Sequence, residues 1–393
     1  MTNICLYLHA HQPLRLRNFS IFDIGKNNVN YFDETRNKDY LQRVAGKSYL
    51  PANRMFLELI KKTYGKFRIS FSISGVLLEQ LEKHNPEIIL SFQELAKTGV
   101  CDFLTETYYH SLSSFFSEED FIKQVKLQGR KLKQLFGIRP EIFRNTELLY
   151  YNNLARIISD LGYKGILIEG ADRILRNRSP NVLYCAKRVP ELKLILKNYP
   201  LSDDIAFRFS THAWREFPLT ADKFLSWIKS TGAEKHSSIN LFMDYETFGE
   251  HQWEETGIFE FFRDFVLKSC QDKDIGFLTV REIVARYQPQ EELDIVEPLT
   301  WADTERDLSA WLGNDLQKSA AYELYGLEKK IVKNKDKNLI SLWRHLQTSD
   351  HFYYMCTKWF NDGDVHKYFN PYDSPYDAYI NYMNILKDLE SRI

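Results

Sequence analysis

The chain has 393 residues, 44% of them hydrophobic and 27% charged, which suits one large globular unit or two to three ordinary ones. Lys plus Arg number 52 and Asp plus Glu 53, so no net field draws in nucleic acid or an anionic membrane, and a neutral substrate is permitted. Cys5, Cys101, Cys185, Cys270 and Cys356 are scattered, with no CxxC or Cys/His cluster, which argues against a disulfide framework or a zinc site and for a reducing cytoplasm. No stretch reaches about 18 uninterrupted apolar residues, so no membrane span is expected. The start, Met1 to Leu8, lacks the cationic region of a signal peptide.

Ile4 to His9 reads as a buried strand. Arg54 to Tyr64 carries Met55, Leu59 and Ile60 at helical spacing. Phe67 to Ser74 alternates apolar and polar residues and predicts a strand. Helical patterns cover Val76 to Lys83 and Pro86 to Thr98, and Val100 to Thr105 is the next strand. Ser117 caps a helix closed by Gly137, with Phe121, Val125, Leu132 and Leu135 on one face. Glu141 to Arg144, Gly165 to Ile168, Ile239 to Met243 and Gly276 to Leu278 complete the strands. Helices at Asn152 to Leu161, Ala221 to Ser230, Phe259 to Leu267 and Thr279 to Tyr287 lie between or after them. This alternation predicts parallel strands with crossover helices. With roughly seven such units a barrel is more economical than an open sheet, which stays possible. GxGxxG and GxxxxGK[ST] are absent, so the usual nucleotide signatures are missing. After Gln288 to Glu292 the pattern becomes helical, over Leu308 to Lys330, Asn338 to Gln347 and Tyr376 to Glu390. The expected division is a catalytic unit at 1–287 and a helical subdomain at 288–393 packed on it.

Aromatics make up 15% of the chain, with 27 Phe, 23 Tyr and 7 Trp. Most Phe are expected in the core, whereas Trp could stack on sugar.

Four segments place polar groups just after a strand. In His9-Ala-His11-Gln12-Pro13, two His one residue apart point the same way on an extended chain. They suit a metal or a set of sugar hydroxyls. Asp102, Glu106 and His110 follow the third strand, and each needs a partner if buried. Arg144-Asn145-Thr146-Glu147 delivers an acid from a short strand. Asp244 and Glu246, with Glu250 and His251 close behind, follow the strand at 239–243. Two carboxylates from different strand ends converging on a cleft are the minimal equipment for glycosidic bond cleavage, and need no cofactor. One attacks as the anion while the other protonates the leaving oxygen. A rival reading makes His9 and His11 metal ligands with Asp102 or Asp244. It ranks lower because the remaining His are dispersed.

Taken together, His9 to Pro13, Glu106 to Leu112, Arg144 to Glu147, Met243 to Trp253, Thr300 to Asn314 and Leu346 to Met355 resemble the α-amylase branch of glycoside hydrolase family 57. The resemblance spans His9 to about Leu389. It implies an incomplete (β/α)7 barrel followed by a C-terminal helical region, and retaining cleavage of α-glucosidic bonds. Glu147 matches the nucleophile and Asp244 the general acid/base. His9, His11, Asp102, Glu106, His110, Glu246, Trp253, Trp301, Asp303, Asp307 and Trp311 fall in motifs that contribute to substrate binding. No metal or other cofactor is implied, and the partner is an α-glucan or maltooligosaccharide. Asp102 stands where the family usually carries Glu. Glu246, beside Asp244, is expected to raise the pKa of Asp244 by like-charge repulsion. Transglycosylation, with a sugar replacing water, and a glucan-binding homologue without turnover are the alternatives.

Overall fold

The structure, a computed structural model, describes residues 2–26, 30–231, 238–358 and 370–393. Its strands are β1 (Thr2–Ala10), β2 (Ile69–Ile73), β3 (Cys101–Phe103), β4 (Ile142–Arg144), β5 (Gly165–Ile168), β6 (Tyr184–Ala186), β7 (Val189–Leu196), β8 (Ser238–Asp244), β9 (Ile275–Phe277) and β10 (Glu291–Leu293).

One sheet runs β3-β2-β1-β8, with β9 also pairing with β1. All of its pairings are parallel, and His9 of β1 sits between Ser72 and Asp244. The other runs β10-β6-β7-β5-β4 and is parallel except for β6 with β7. Two seams join the sheets. At one, the Thr105 N–H donates to Ile142 O (3.1 Å) and the Arg144 N–H to Thr105 O (2.9 Å). At the other, the Asn198 N–H donates to Asn240 O (2.8 Å) and Asn240 Nδ2 to Leu196 O (2.8 Å).

Every residue of β1 is buried, and the period of two divides them between two cores. Ile4, Leu6 and Leu8 join the cluster under the surrounding helices. Cys5 and Tyr7 join a second cluster with Leu104, Ile142, Leu167, Ile195 and Phe242, so that side chains from both sheets meet. Val280, Ile283 and Val284, from the helix Val280–Arg286, complete that inner cluster. Phenylalanines fill the outer core as expected. Phe56, Phe67, Phe71, Phe92, Phe103, Phe248 and Phe262 meet at tilted or edge-on angles with centroids 4.9–6.4 Å apart. Such pairs add about 0.5–1.5 kcal/mol each beyond area burial.

The mixed α/β expectation with parallel strands and helices holds. Several features depart from the sequence pattern, β10 and the helix Tyr199–Ala206 among them. β6 and β7 were not expected, because Pro190, Glu191 and Lys193 break the apolar run that β7 buries through Leu192, Leu194 and Leu196. The helix Glu34–Val44 was not expected either, since it buries only Asn37, Leu41 and Val44. The expected helix over Leu308 to Lys330 is three: Ser309–Leu312, Asp315–Gly326 and Glu328–Asn334. Asn314 breaks the run as an N-cap. Its side chain accepts from the Gln317 N–H (2.9 Å), and Gln317 Oε1 accepts from the Asn314 N–H (3.2 Å).

The C-terminal helices pack around Trp311, Leu324, Trp343, Phe352 and Leu386. Leu16, Phe19, Tyr31, Leu112 and Leu149 enter the same cluster. The helices are therefore bound to the segments that leave β1, β3 and β4, and that contact brings them to the strand ends.

Candidate active site

β1 and β8 end side by side. His9 is paired in register with Asp244, and its Nδ1 lies 3.8 Å from Asp244 Oδ1. Its Nε2 is 3.3 Å from Glu106 Oε2. The chain after β8 turns through Tyr245–Thr247 and buries Glu246, which accepts hydrogen bonds from Tyr49 Oη and, at 3.5 Å, from Gln12 Nε2. Tyr49 ends a single π-helical turn, Ala45–Tyr49. The Ser48 hydroxyl on that turn donates to Tyr245 O (3.4 Å). Gly249 rests on the turn with φ +99°, and a Cβ there would sit 1.9 Å from Lys47 O, so only glycine lets the two segments touch.

The two acids of this wall differ in charge. Burial and the neighbouring Asp244 charge push Glu246 up to about 8. Burial also pushes Asp244 up, but nearby His9, His251 and Arg144 outweigh it and hold Asp244 at about 2. The like-charge effect therefore falls on Glu246 and not on Asp244, reversing the expectation. Asp244 keeps about a third of its side chain exposed, whereas Glu246 is buried, so the less solvated acid keeps the proton.

The opposite wall begins at β4. Beyond it Glu147 and Leu148 adopt left-handed backbone, φ 56° and 53°. Glu147 Oε2 accepts from Trp301 Nε1 (2.7 Å), and its Oε1 from His110 Nε2 (3.0 Å) and the Ser349 hydroxyl (3.4 Å). His110 turns its Nδ1 to Glu106 Oε2 (3.2 Å). Burial pushes His110 down, but Glu106 and Glu147 outweigh it and hold the ring at about 9. As an imidazolium it donates from both nitrogens. Burial alone would neutralise Glu106, but His9, His110 and Arg144 keep it well below the usual carboxylate range.

His11 stacks on His110 with centroids 3.9 Å apart, and burial and the His110 charge push it down to about 4. The neutral ring has a defined tautomer. Its Nε2–H donates to Asp350 (3.0 Å) and its Nδ1 accepts from the Ser74 hydroxyl (2.7 Å), while Ser74 Oγ accepts from the Leu77 N–H (3.3 Å) at a helix start.

His9, His11, Glu147, Asp244, Glu246 and Trp301, all sequence candidates, line one cleft. Gln12, Pro13, His251, Asp350 and Tyr354 line it too. Glu106 and His110 are buried directly behind it. The remaining candidates do not line it. Asp102 accepts from the Arg281 N–H (3.2 Å) at the start of the helix Val280–Arg286, and burial, eased by Arg281, pushes it up to about 6. Trp253 is exposed on the outside, with Lys47 over its ring at 5.5 Å. Asp303 lies in left-handed backbone two residues past Trp301. Asp307 binds the Ser309 N–H (2.8 Å) and hydroxyl (2.5 Å). Trp311 is buried against Tyr353, 6.1 Å between centroids. Tyr49, Ser349 and Asp350 were not among the candidates. Ser349 and Asp350 belong to the segment 346–355 that carries part of the resemblance, where a polar run ahead of Phe352-Tyr353-Tyr354 was the available signal.

Among the described residues two sets of three groups, His9–Glu106–His110 and His11–His110–Asp350, bring ligand atoms within 4.8 Å of one another. His110 is common to both, and its nitrogens already donate to Glu106 and Glu147. The rings of His9 and His11 stack with centroids 6.1 Å apart and planes 16° from parallel. Their nitrogens find different partners, Glu106 and Asp244 for His9, Ser74 and Asp350 for His11. A His9–His11 ligand pair with Asp102 or Asp244 does not fit this arrangement.

The sequence pattern of glycosyl hydrolase family 57 matches residues 5–296. The chain belongs to glycosyl hydrolase family 57. A Methanocaldococcus jannaschii protein, provisionally named an alpha-amylase, is 42% identical over 403 aligned residues, covering 98% of this chain and 84% of that one. A similar fold is seen in the 4-alpha-glucanotransferase of Thermococcus litoralis, with TM-score 0.72, 15% identity, and coverage of 99% of this chain and 60% of that one. The GH57-type branching enzyme of Pyrococcus horikoshii gives TM-score 0.70, 16% identity, and coverage of 94% and 87%. At these identities the two structures speak for the fold alone.

Proposed function

We propose that this family 57 chain is a retaining α-glucan hydrolase, an α-amylase cleaving α-1,4 bonds by double displacement, with Glu147 as nucleophile and Asp244 as general acid/base. The observation that carries the reading is Glu147 held by three donors in one cleft with Asp244. Charge-assisted donors favour the carboxylate that attacks. In the first step Glu147 bonds to C1, the C1–O bond to the leaving sugar breaks, and that oxygen takes a proton from Asp244. In the second step water bonds to C1 and gives a proton to Asp244, and the C1–Glu147 bond breaks. Two inversions retain the anomeric configuration. The proton held by the acid pair at neutral pH rests on Glu246 while the cleft is open to water. A bound sugar strips water from Asp244, raises its proton affinity and readies it as the acid.

The fold reading that accompanies this is an incomplete (β/α)7 barrel of β1, β2, β3, β4, β5, β7 and β8, closed at the two seams. Residues 1–287 form the barrel and 288–393 a helical subdomain that completes the cleft, a division supported by Ser349 and Asp350 reaching Glu147 and His11. A cytoplasmic location agrees with the scattered cysteines and with the lack, among the described residues, of any helix long and apolar enough to cross a membrane.

Incubation with maltooligosaccharides and glycogen tests the reading. Shorter chains released as the α-anomer are expected. Products longer than the substrate would assign a transferase that accepts sugar in place of water. Tight binding without product would leave a glucan-binding protein, and loss of activity to a chelator would restore the metal reading.

A further inference from the structure

The indole that touches Glu147 is itself held from outside the cleft. Trp301 binds Glu147 twice, through Nε1 to Oε2 (2.7 Å) and through its backbone N–H to Glu147 O (3.2 Å). Next to this, Tyr150 and Leu299 exchange backbone hydrogen bonds of 2.8 and 2.9 Å. The segment that carries the nucleophile is thus paired antiparallel to 299–301. The loop after Trp301 returns on itself, with the Thr300 N–H donating to Arg306 O (3.0 Å) and the Thr300 hydroxyl to Asp307 O (2.7 Å). Arg306, in left-handed backbone at φ 54°, sends Nη1 back to Trp301 O (2.6 Å). The same guanidinium reaches Glu169 just past β5 (3.4 Å) and Asp203 on the helix Tyr199–Ala206 (3.6 Å), and covers the Tyr199 ring at 4.8 Å. Lys197, just past β7, binds the same two acids at 3.7 and 3.0 Å and lies 5.5 Å from the Trp301 ring. Arg144 lies 5.0 Å from that ring.

We propose that Arg306 is a positioning residue which fixes Trp301 to the second sheet and so aims and hydrogen-bonds the Glu147 carboxylate. The assignment rests on the glucan-cleaving reading given above. Arg306 does not line the cleft and touches no reacting atom. Its planar fork joins the Trp301 carbonyl to Glu169 just past β5 and to Asp203 on the helix Tyr199–Ala206, a geometry an ammonium group does not reproduce. Arg173 also ties the loop, donating to Pro298 O (2.8 Å) and Arg306 O (3.0 Å), but of the two arginines Arg306 is the one bonded to the Trp301 carbonyl.

The test compares Arg306→Lys, Trp301→Phe and the double variant on maltooligosaccharides. Trp301→Phe deletes one donor to the carboxylate, and a fall in kcat on the order of 10²-fold is expected. Arg306→Lys keeps the charge between Glu169 and Asp203 and should lower kcat by about 10-fold, with KM changed less than about 3-fold. Both single changes remove support from the ionised form of Glu147, which faces His110, Ser349 and, across the cleft, Asp244. The acidic limb of kcat/KM should therefore move to higher pH in each. The double variant should be no worse than Trp301→Phe alone, because Arg306 acts through Trp301. Multiplying losses, or an unmoved acidic limb in Arg306→Lys, would overturn the proposal. Were the wild-type chain to show no glucan turnover, the functional reading would fail separately. The positioning role would then be read from a crystal structure of Arg306→Lys. A Trp301 Nε1 to Glu147 Oε2 distance lengthened past hydrogen-bonding range supports it, and an unchanged 2.7 Å refutes it.

Discussion

The two walls of the cleft are built differently. The Asp244 wall is made of neighbouring strands. β1 and β8 pair over seven residues and present His9 beside Asp244 by register alone. The Glu147 wall comes from a three-residue strand followed by left-handed backbone. It is completed by donors from three remote segments: His110 after β3, Trp301 after β10 and Ser349 in the C-terminal helices. A proton-handling group tolerates a simple scaffold because its protonation is set by near charges. A nucleophile must also be aimed, and aim requires several braces.

The largest effect expected is from the acids themselves. Glu147→Ala and Asp244→Ala should each lower kcat by on the order of 10⁴-fold or more, with the fold intact by circular dichroism. Azide separates the walls. With Asp244→Ala it should intercept the glycosyl-enzyme and give the α-glycosyl azide. With Glu147→Ala it should attack C1 directly and give the β-product. The opposite pairing of products would exchange the two roles.

Glu246→Gln sharpens the contrast on the Asp244 wall. Burial and the Asp244 charge place Glu246 at about 8, so its proton is present below that pH and lost above it. Wild-type kcat/KM should fall as pH rises through about 8. The Gln variant should be flat there, at a level about 10-fold lower at neutral pH. A retained alkaline limb would transfer that titration to another group.

Asp102→Asn gives a smaller effect, on stability only. The folded-state value of about 6 lies above the ordinary 3.8. This group therefore favours folding below about pH 4, and that contribution disappears as pH rises through 6. Asn can still accept from the Arg281 N–H. The variant should gain about 1–2 kcal/mol over wild type at pH 8 and nothing at pH 4 in urea unfolding, with kcat/KM unchanged. A fall in kcat/KM would return Asp102 to the substrate site.

The same contrast governs how much was legible in the sequence. His9, His11, Asp244 and Glu246 lie within short runs at strand ends, where a period of two and one stop signal suffice to place them. Glu147 was legible as an acid after a strand, but not its braces, which are separated from it by up to 202 residues and meet it only through packing. Asp102 stands apart from the cleft for a geometric reason. Asp102 lies inside β3, whereas Glu106 lies three residues past the strand's end at Phe103. One faces the helix Val280–Arg286 and the other the cleft. Trp311 and Asp307 sit in a motif beside the cleft, yet their side chains serve the helical core and a helix start. Tyr49 is aimed by a π turn that no apolar period announces.

The backbone at Glu147 and Leu148 has a consequence for folding. Left-handed geometry costs a residue with a Cβ roughly 1–2 kcal/mol, and here two such residues stand in succession. The contacts with residues 299–301, His110 and Ser349 offset that tension. The expectation is that the Glu147 segment orders after the strands that frame it and relaxes first when the helices loosen. On heating, turnover should vanish several degrees before the strands melt, as a comparison of residual activity with far-ultraviolet circular dichroism would show.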